Sequence, residues 1–317
     1  MSGLRGEVLD WFAAKRVAPG GEHDVLREAG IYPGRADWRS FLSSLTLWLG
    51  TLALAAALIF FFAFNWDDLG RFAKFGLVEG AILIGLAACW RLGLDGAPGK
   101  AVLVLLSLLV GALLALTGQV YQTGADSYEL FAWWAVLILP WTILGRFSPL
   151  WLVWLAIVNL AVILYPLDDR DSDALLWILF GINGIALAAW EAAHRAGLSW
   201  LRDSWPPRLL ALASGIAATS LIGSAIFDGF RGTGALSALA YAGWLAAFYF
   251  WYRRIRPDLF MLAGGLFSLI VTIVMFLAQN LIDQGSGSYL LIGLAVIGMS
   301  AGGAIWLKSV ARGEAAE

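Results

Sequence analysis

Ten long apolar stretches follow one another along the chain and are separated by short polar turns. Each stretch is continuously apolar and rich in Leu, Ala and Gly, a pattern that predicts membrane-spanning helices rather than the alternating strands of a barrel. A bilayer core of about 30 Å needs roughly 20 apolar residues of helix. We therefore predict an all-α, polytopic transmembrane helical bundle with ten spans, at residues 41–64, 72–90, 100–120, 129–145, 149–165, 173–193, 208–227, 235–252, 258–280 and 288–308.

A polar segment precedes the first apolar stretch. Residues 1–40 carry six basic and six acidic side chains and lack the apolar core of a signal peptide. Pro19 and Gly20 separate two short predicted helices, 4–16 and 20–29. The prediction is a cytoplasmic helical segment over 1–40, a transmembrane domain over 41–308 and a cytoplasmic tail over 309–317.

Basic residues alternate between the two sides of the predicted bundle. Seventeen Lys and Arg residues fall on one side, against four on the other, namely Arg71, Lys74, Arg170 and Arg231. The positive-inside rule assigns the larger group to the cytoplasm. The sequence therefore predicts that both ends of the chain are cytoplasmic.

The composition agrees with this fold and excludes several classes of site. Hydrophobic residues make up 60% of the chain and charged residues 14%, where a soluble domain carries about a quarter charged. The single cysteine, Cys89, excludes an internal disulfide, and His23 and His194 have no partners at metal-ligand spacing. No nucleotide-binding or hydrolase motif and no nucleic-acid-binding surface is present. We therefore predict no catalytic residue, cofactor, metal site or nucleic-acid partner.

Glu79 is the clearest candidate for chemistry, because ionisable groups in hydrocarbon are costly. It lies about seven residues into the second span from the outer side, on the order of 10 Å deep. Lys74 precedes it by five positions and so lies on another helix face. Glu79 is either a proton or cation site or a packing carboxyl group bonded to a backbone carbonyl.

Polar residues gather at the outer ends of the predicted spans, whereas few lie deep at the inner ends. A vestibule open to the periplasm explains this asymmetry, because residues that line water escape the burial cost. Ordinary helix caps and turns are the alternative. The predicted lining for a small molecule or cation is Asn65, Trp66, Asp67, Glu79, Gln119, Tyr121, Gln122, Asp126 and Tyr128. Further outer polar residues are Asn159, Asp228, Gln279, Asn280 and Asp283, and Asn183 lies nearer the midplane.

Two segments that lie six spans apart are similar. QVYQTGADSYEL runs from residue 119 to 130, and QNLIDQGSGSYLL runs from 279 to 291. Internal duplication and convergent turn chemistry both explain the likeness.

The outer segments also resemble a family. FFAFNWDDLGRFAKF (61–75) and GQVYQTGADSYELFAWW (118–134) are similar to the bacterial predicted membrane proteins of domain of unknown function 2157. The resemblance extends over residues 1–165. It implies a bacterial inner-membrane protein without an assigned activity and supplies no catalytic residues.

Three functions are compatible with these features. The leading hypothesis is a transporter or small-molecule-binding protein with the periplasm-facing vestibule described above. The second is a membrane scaffold or sensor, whose N-terminal segment and Trp-rich turn between spans four and five dock a cytoplasmic protein. The third is an intramembrane enzyme for a lipid-linked substrate, with Glu79, Asp67 or Asp126 as acid or base. For all three functions, the helical bundle is surrounded by the lipid bilayer.

Overall fold

The structure is a computed structural model, and it describes residues 11, 25–26, 34–64, 70–122, 124, 126–167, 172–201, 203–281 and 287–314. Ten α-helices make up most of this part of the chain, and they confirm the predicted all-α fold. They are α1 (Arg35–Phe64), α2 (Arg71–Leu92), α3 (Ala97–Tyr121), α4 (Ser127–Gly145), α5 (Ser148–Ile163), α6 (Ser172–Arg195), α7 (Trp205–Phe227), α8 (Gly234–Phe250), α9 (Leu259–Leu281) and α10 (Gly287–Glu314).

The helices match the predicted spans closely, with ends at most six residues apart. Within the described residues, nine helices are long and apolar enough to cross a bilayer, and α5, with 16 residues, is a shorter apolar helix. The chain is therefore a membrane protein with multiple apolar helices.

The predicted N-terminal helices, 4–16 and 20–29, fall almost entirely outside the described residues. Trp11, Val25 and Leu26 are the exceptions, and all three are helical. The predicted three-part division of the chain stays a prediction.

The chain divides into two compact units, Met1–Thr123 and Gly124–Glu317. In the first unit, α3 packs against both α1 and α2. The contact with α2 is close because α2 has Gly85 there, and a Cβ on that glycine would lie 2.6 Å from Cδ2 of Leu106. Leu106 is fully buried. Small residues at such crossings let the helix backbones approach each other.

In the second unit, α7 is the central helix. It packs against α6, α8 and α9, while α4 pairs with α5 and α10 pairs with α9. The sequence of α7 explains its place, because half of its buried positions are small, including Ala211, Ser214, Ala217, Ala218 and Gly223. Three neighbours fit around one helix only where its side chains leave room for them.

Candidate functional site

The predicted vestibule lining is distributed over both units. Asn65, Trp66 and Asp67 lie outside the described residues. Glu79 is exposed on α2, and no hydrogen bond or ion pair joins its carboxyl group to the described residues. The convergence of the whole set around one vestibule stays a prediction.

The remaining members of the predicted lining flank the turn between α3 and α4. Gln119 and Tyr121 are exposed in the last turn of α3, where the Tyr121 ring lies 5.9 Å from the ring of Phe75 between centroids. Gln122 ends α3 in the left-handed conformation, with a φ of 46°. In the second unit, Asp126 is the exposed N-cap residue of α4, and the Tyr128 ring packs edge-on against Tyr165 at 4.9 Å.

A cavity of about 870 Å³ opens in the second unit, where α6 and α8 begin and α7 and α9 end. We call it the outer cavity, because all four helix ends lie on the predicted outer side. Its polar lining consists of Asp173, Asp228, Arg231, Thr233 and Gln279. Trp177 and Phe227 add two aromatic side chains. Four of the helices that pack together in this unit thus contribute to one polar opening.

Asp173, in the first turn of α6, holds three helices together at this cavity. Its Oδ1 accepts a hydrogen bond from the hydroxyl group of Ser224 on α7 at 2.7 Å. Its Oδ2 accepts one from the hydroxyl group of Thr233, the N-cap residue of α8, at 3.1 Å. A carboxylate has about four acceptor positions, so two of them remain for a molecule in the cavity.

Asp228 lies next to the same hydroxyl group. The Ser224 Oγ is 3.4 Å from Oδ2 of Asp228 and 2.7 Å from Asp173. A hydroxyl group has one hydrogen, so it satisfies only one of these carboxylates at a time. The two negative charges therefore favour a cation in the cavity.

The turn between α7 and α8 presents Arg231 to the outer cavity. Gly229 and Gly232 have positive φ angles of 67° and 54°, which glycine adopts without steric strain. Phe230 has a φ of 58°, and a bulky side chain in this region of the backbone is uncommon and strained. Strain of this kind concentrates at ligand-binding turns.

Trp177 lines the cavity with its aromatic ring. Its indole Nε1 is buried, and it has no hydrogen-bond partner in the described residues. Leaving a buried donor unsatisfied costs about 1–3 kcal/mol. An atom that solvent does not reach is closed to a molecule in the cavity as well, so Trp177 contributes its ring surface to the cavity wall and not its N–H.

Two polar networks lie between helices in the second unit. In the first, Asn183 donates to Oδ1 of Asn159 at 2.6 Å, and Asn159 donates in return at 3.3 Å. In the second, four hydroxyl groups of α7, α8 and α9 are connected by hydrogen bonds of 2.7 to 3.0 Å, in the order Thr219, Ser268, Tyr241, Thr272. Sequence reasoning singled out both asparagines but missed the four hydroxyl groups.

Two ion pairs connect helices at the predicted inner end of the second unit. Glu191 on α6 is buried, and both its oxygens lie 3.0 Å from the Arg256 guanidinium group. Tyr252 donates to the same carboxylate at 2.9 Å. Arg208 on α7 forms the other pair, with Asp258, at 3.0 Å. These contacts tie α6, α7, α8 and α9 together at the end opposite the outer cavity.

The Trp-rich turn between α4 and α5 is largely packed within the unit. The indole N–H of Trp154 donates to the carbonyl oxygen of Ala135 at 2.9 Å, and that of Trp141 donates to Leu137. Trp133 is exposed. Most of these rings therefore have structural contacts, as expected for membrane-interface anchors.

The acidic, histidine and cysteine side chains were predicted to form no metal site. In the part of the chain that the structure describes, no group of three His, Cys, Asp or Glu side chains converges closely enough to hold a metal ion. His194 directs its Nδ1 to the carbonyl oxygen of Leu201 at 2.9 Å.

Comparison with known proteins gives one result. No curated protein and no solved structure matches the chain. A family model matches residues 9–151. The matched region includes both segments that carry the predicted resemblance, and it ends before Asp173, the first residue of the outer cavity. That family is described as Predicted membrane protein (DUF2157), and the match over residues 9–151 confirms the predicted resemblance.

Proposed function

We propose that the protein is a transporter of the bacterial inner membrane that takes up a small zwitterion from the periplasm through the outer cavity. The observation that carries this proposal is the polar opening itself, which the ends of four membrane helices build. Its volume of about 870 Å³ is within the range of roughly 300–1,000 Å³ typical of small-molecule sites.

The charges of the cavity favour a solute with an ammonium group. Asp173 and Asp228 provide two negative charges, and Arg231 provides one positive charge. The lining therefore has a net charge of about −1, which attracts cations. The aromatic faces of Trp177 and Phe227 add a favourable surface for a cation when the cavity excludes water.

The same wall favours a carboxylate or another acceptor on the solute. Arg231 is suited to a carboxylate, because a guanidinium group forms paired, charge-assisted hydrogen bonds with one. An ammonium group near the two aspartates and a carboxylate near Arg231 would satisfy both sets of groups. The substrate class that fits this arrangement is a small amino acid or a similar zwitterion.

The two ends of the second unit differ in how open they are, and this difference supports transport rather than binding alone. The outer end has an open polar cavity, whereas ion pairs of Glu191 with Arg256 and of Arg208 with Asp258 hold the inner end together. Transport would require these ion pairs to separate while the outer cavity closes. This is the exchange of access by which secondary transporters work.

Binding to the purified protein in lipid nanodiscs tests the proposal. The probes are three classes of compound: the common amino acids, simple alkylamines and simple carboxylates. We expect at least one amino acid to bind and to be favoured over the amine and the carboxylate. Replacing Asp173 or Asp228 by Asn should weaken its binding at least tenfold, because each removes a charged contact.

Asp203→Asn is the matched control, since Asp203 is an exposed aspartate between α6 and α7 at the predicted inner end. This variant should bind like the wild type. The proposal is wrong if no amino acid binds, or if both cavity variants bind as tightly as the control. Uptake of the bound amino acid into proteoliposomes then separates a transporter from a receptor.

A further inference from the structure

A narrow groove follows the contact between α7 and α9 in the second unit. We call it the α7–α9 groove. Both helices begin at the predicted inner end, and the groove extends from Arg208 to Ser220 on α7 and from Phe260 to Val271 on α9. Eleven to twelve residues of helix correspond to about 17 Å. Since a bilayer core is about 30 Å thick, the groove has the depth of one leaflet.

The lining of the groove changes from small residues at the bottom to large apolar side chains at the rim. The residues at the bottom are buried or half-buried, namely Ala211, Gly215 and Ser268. The residues at the rim are exposed, namely Leu212, Ile216 and Phe267. The groove is therefore open along its side to the hydrocarbon of the bilayer.

The groove is too narrow to hold another helix. A volume of about 260 Å³ over a length of about 17 Å corresponds to a mean cross-section of about 15 Å². A helix with a diameter of about 10 Å has a cross-section of roughly 80 Å². An extended hydrocarbon chain is far thinner, and burying it here removes no polar group from water. The shape of the groove thus favours the acyl chain of a lipid over a helix of this or another protein.

Arg208 lies at the inner mouth of the groove. Its Nε and Nη2 donate to the carboxylate of Asp258 at distances of 3.0 to 3.3 Å, and its Cζ lies 5.2 Å from the centre of the Phe260 ring. Its Nη1 makes no hydrogen bond to the described residues, so two N–H donors of the guanidinium group are available. The side chain is 38% exposed. These donors are therefore accessible to a molecule at the mouth.

The mouth favours an anion even though Asp258 is part of it. The Oδ1 of Asp258 accepts hydrogen bonds from the backbone N–H groups of Phe260 and Met261 at 2.9 and 3.3 Å, so this carboxylate is satisfied by α9 and Arg208. The N-termini of α7 and α9 both lie here, and each has a partial positive charge. Basic pockets between membrane helices bind lipid phosphate groups, and arginine pairs with phosphate through charge-assisted hydrogen bonds.

We infer that the α7–α9 groove binds one phospholipid of the leaflet on the predicted inner side, with an acyl chain along the groove and the phosphate group at Arg208. Two separate features support this ligand. The groove has the depth of one leaflet, and the guanidinium group lies at the end where the headgroups of that leaflet are. A soluble anion would leave the apolar groove unused, and a lipid without phosphate would leave the Nη1 donors unused. This inference does not depend on the proposed transport function.

Native mass spectrometry of the delipidated full chain tests the inference. The probes are phosphatidylglycerol, a diacylglycerol with the same acyl chains, and glycerol phosphate, which has no chains. We expect one phosphatidylglycerol molecule to bind at least about tenfold more tightly than either of the other compounds. Equal binding of the diacylglycerol would show that no phosphate group is recognised, and equal binding of glycerol phosphate would show that the groove takes no chain. Either result would overturn the inference.

Gly264→Leu tests the groove itself. Gly264 is exposed on α9 between Phe260 and Phe267, and a Cβ there would meet nothing within 4 Å, so the variant should fold. Its side chain would occupy the groove and weaken the binding of phosphatidylglycerol at least about tenfold. Gly243→Leu on α8 is the matched control, since Gly243 is also exposed beside open space but does not line the groove. Equal affinities of these two variants would contradict the proposed site.

A pair of variants at the mouth tests the phosphate contact. Arg208→Gln combined with Asp258→Asn removes both charges, so neither is left without its partner. This double variant should lose the preference for phosphatidylglycerol over the diacylglycerol. Asp258→Asn alone is the control and should keep that preference, because the Arg208 guanidinium group remains. A preference that persists in the double variant, or that Asp258→Asn alone abolishes, would show that Arg208 does not bind the phosphate group.

Discussion

The amide pair of Asn159 and Asn183 shows how much a single contact at depth contributes. Asn183 is buried and forms reciprocal hydrogen bonds with Asn159. Replacing Asn183 by Leu leaves Asn159 without its partner, and hydrogen bonds between membrane helices contribute roughly 0.6–2 kcal/mol. We expect Asn183→Leu to lower the free energy of unfolding, measured by denaturation in mixed micelles, by about 1–2 kcal/mol.

A double-mutant cycle separates the bond from other effects of the substitution. The variant with both Asn159→Leu and Asn183→Leu leaves no unsatisfied amide in the pair. It should therefore lose less stability than the sum of the two single variants. Strict additivity would show that the two amides do not stabilise each other.

At the residue scale, the sequence identified polar positions but not their partners. Asn159, Asp228 and Gln279 stood out because amides and carboxylates are rare in apolar helices. Thr219 and Ser268 did not, since a hydroxyl group on a helix usually bonds to a carbonyl of its own preceding turn. Their mutual contact at 2.7 Å depends on how α7 and α9 are rotated about their axes, which a single sequence does not encode locally.

At the element scale, α8 ends in a feature that the sequence did not predict. A π-helical turn, Trp251–Ile255, follows the α-helix, and Arg256 closes it by donating its backbone N–H to the carbonyl oxygen of Trp251. The turn widens the helix where Tyr252 and Arg256 contact Glu191. The predicted span, 235–252, ended within this turn, because apolar periodicity does not distinguish a π-turn from an α-turn.

The contact of this turn with α6 is expected to be important for stability. Removing one partner of a buried ion pair leaves an uncompensated charge and costs about 3–5 kcal/mol. Glu191→Ala should therefore lower the free energy of unfolding by about this amount. Asp258→Ala should cost less, because its partner Arg208 is more exposed than Arg256. Equal losses in chemical denaturation would contradict this ranking.

The starts of the helices were predicted less well than their apolar centres. The seventh span was predicted from residue 208, but α7 begins at Trp205, because Pro206 and Pro207 occupy its first turn. Proline fits there, since the first N–H groups of a helix have no partner within it.

The two similar segments, from residues 119 and 279, each connect consecutive helices, α3 to α4 and α9 to α10. Duplication and shared turn chemistry are both compatible with that arrangement.

At the scale of the whole molecule, hydropathy was sufficient to predict ten helices but not their division into two units. That division follows from packing, since α3 packs against α1 and α2 in one unit and α7 packs against α6, α8 and α9 in the other. Apolar residues that face lipid and those that face a neighbouring helix look alike in sequence. Which helices pack against each other therefore becomes clear only from the structure, where the small residues of α7 and Gly85 of α2 lie at the helix contacts.

Helix α5 determines the topology of everything that follows it. Its 16 residues span only about 24 Å, less than a bilayer core of about 30 Å. If α5 crosses, both ends of the chain are cytoplasmic, with seventeen basic residues inside and four outside. If it does not cross, every later loop changes side, and the distribution becomes eleven against ten. Since the positive-inside rule requires a bias, we predict that α5 crosses and that the bilayer thins around it.

Reporter fusions decide between these topologies. Alkaline phosphatase inserted at Gly232 should be active, because that turn lies in the periplasm when α5 crosses, and a fluorescent protein fused to the C-terminus should fluoresce in the cytoplasm. An insertion at Gly124 precedes α5 and should be active in either case, so it controls for expression. An inactive phosphatase at Gly232 with a dark C-terminal fusion would show that α5 does not cross. It would also place the outer cavity, and the solute that we propose for it, on the cytoplasmic side.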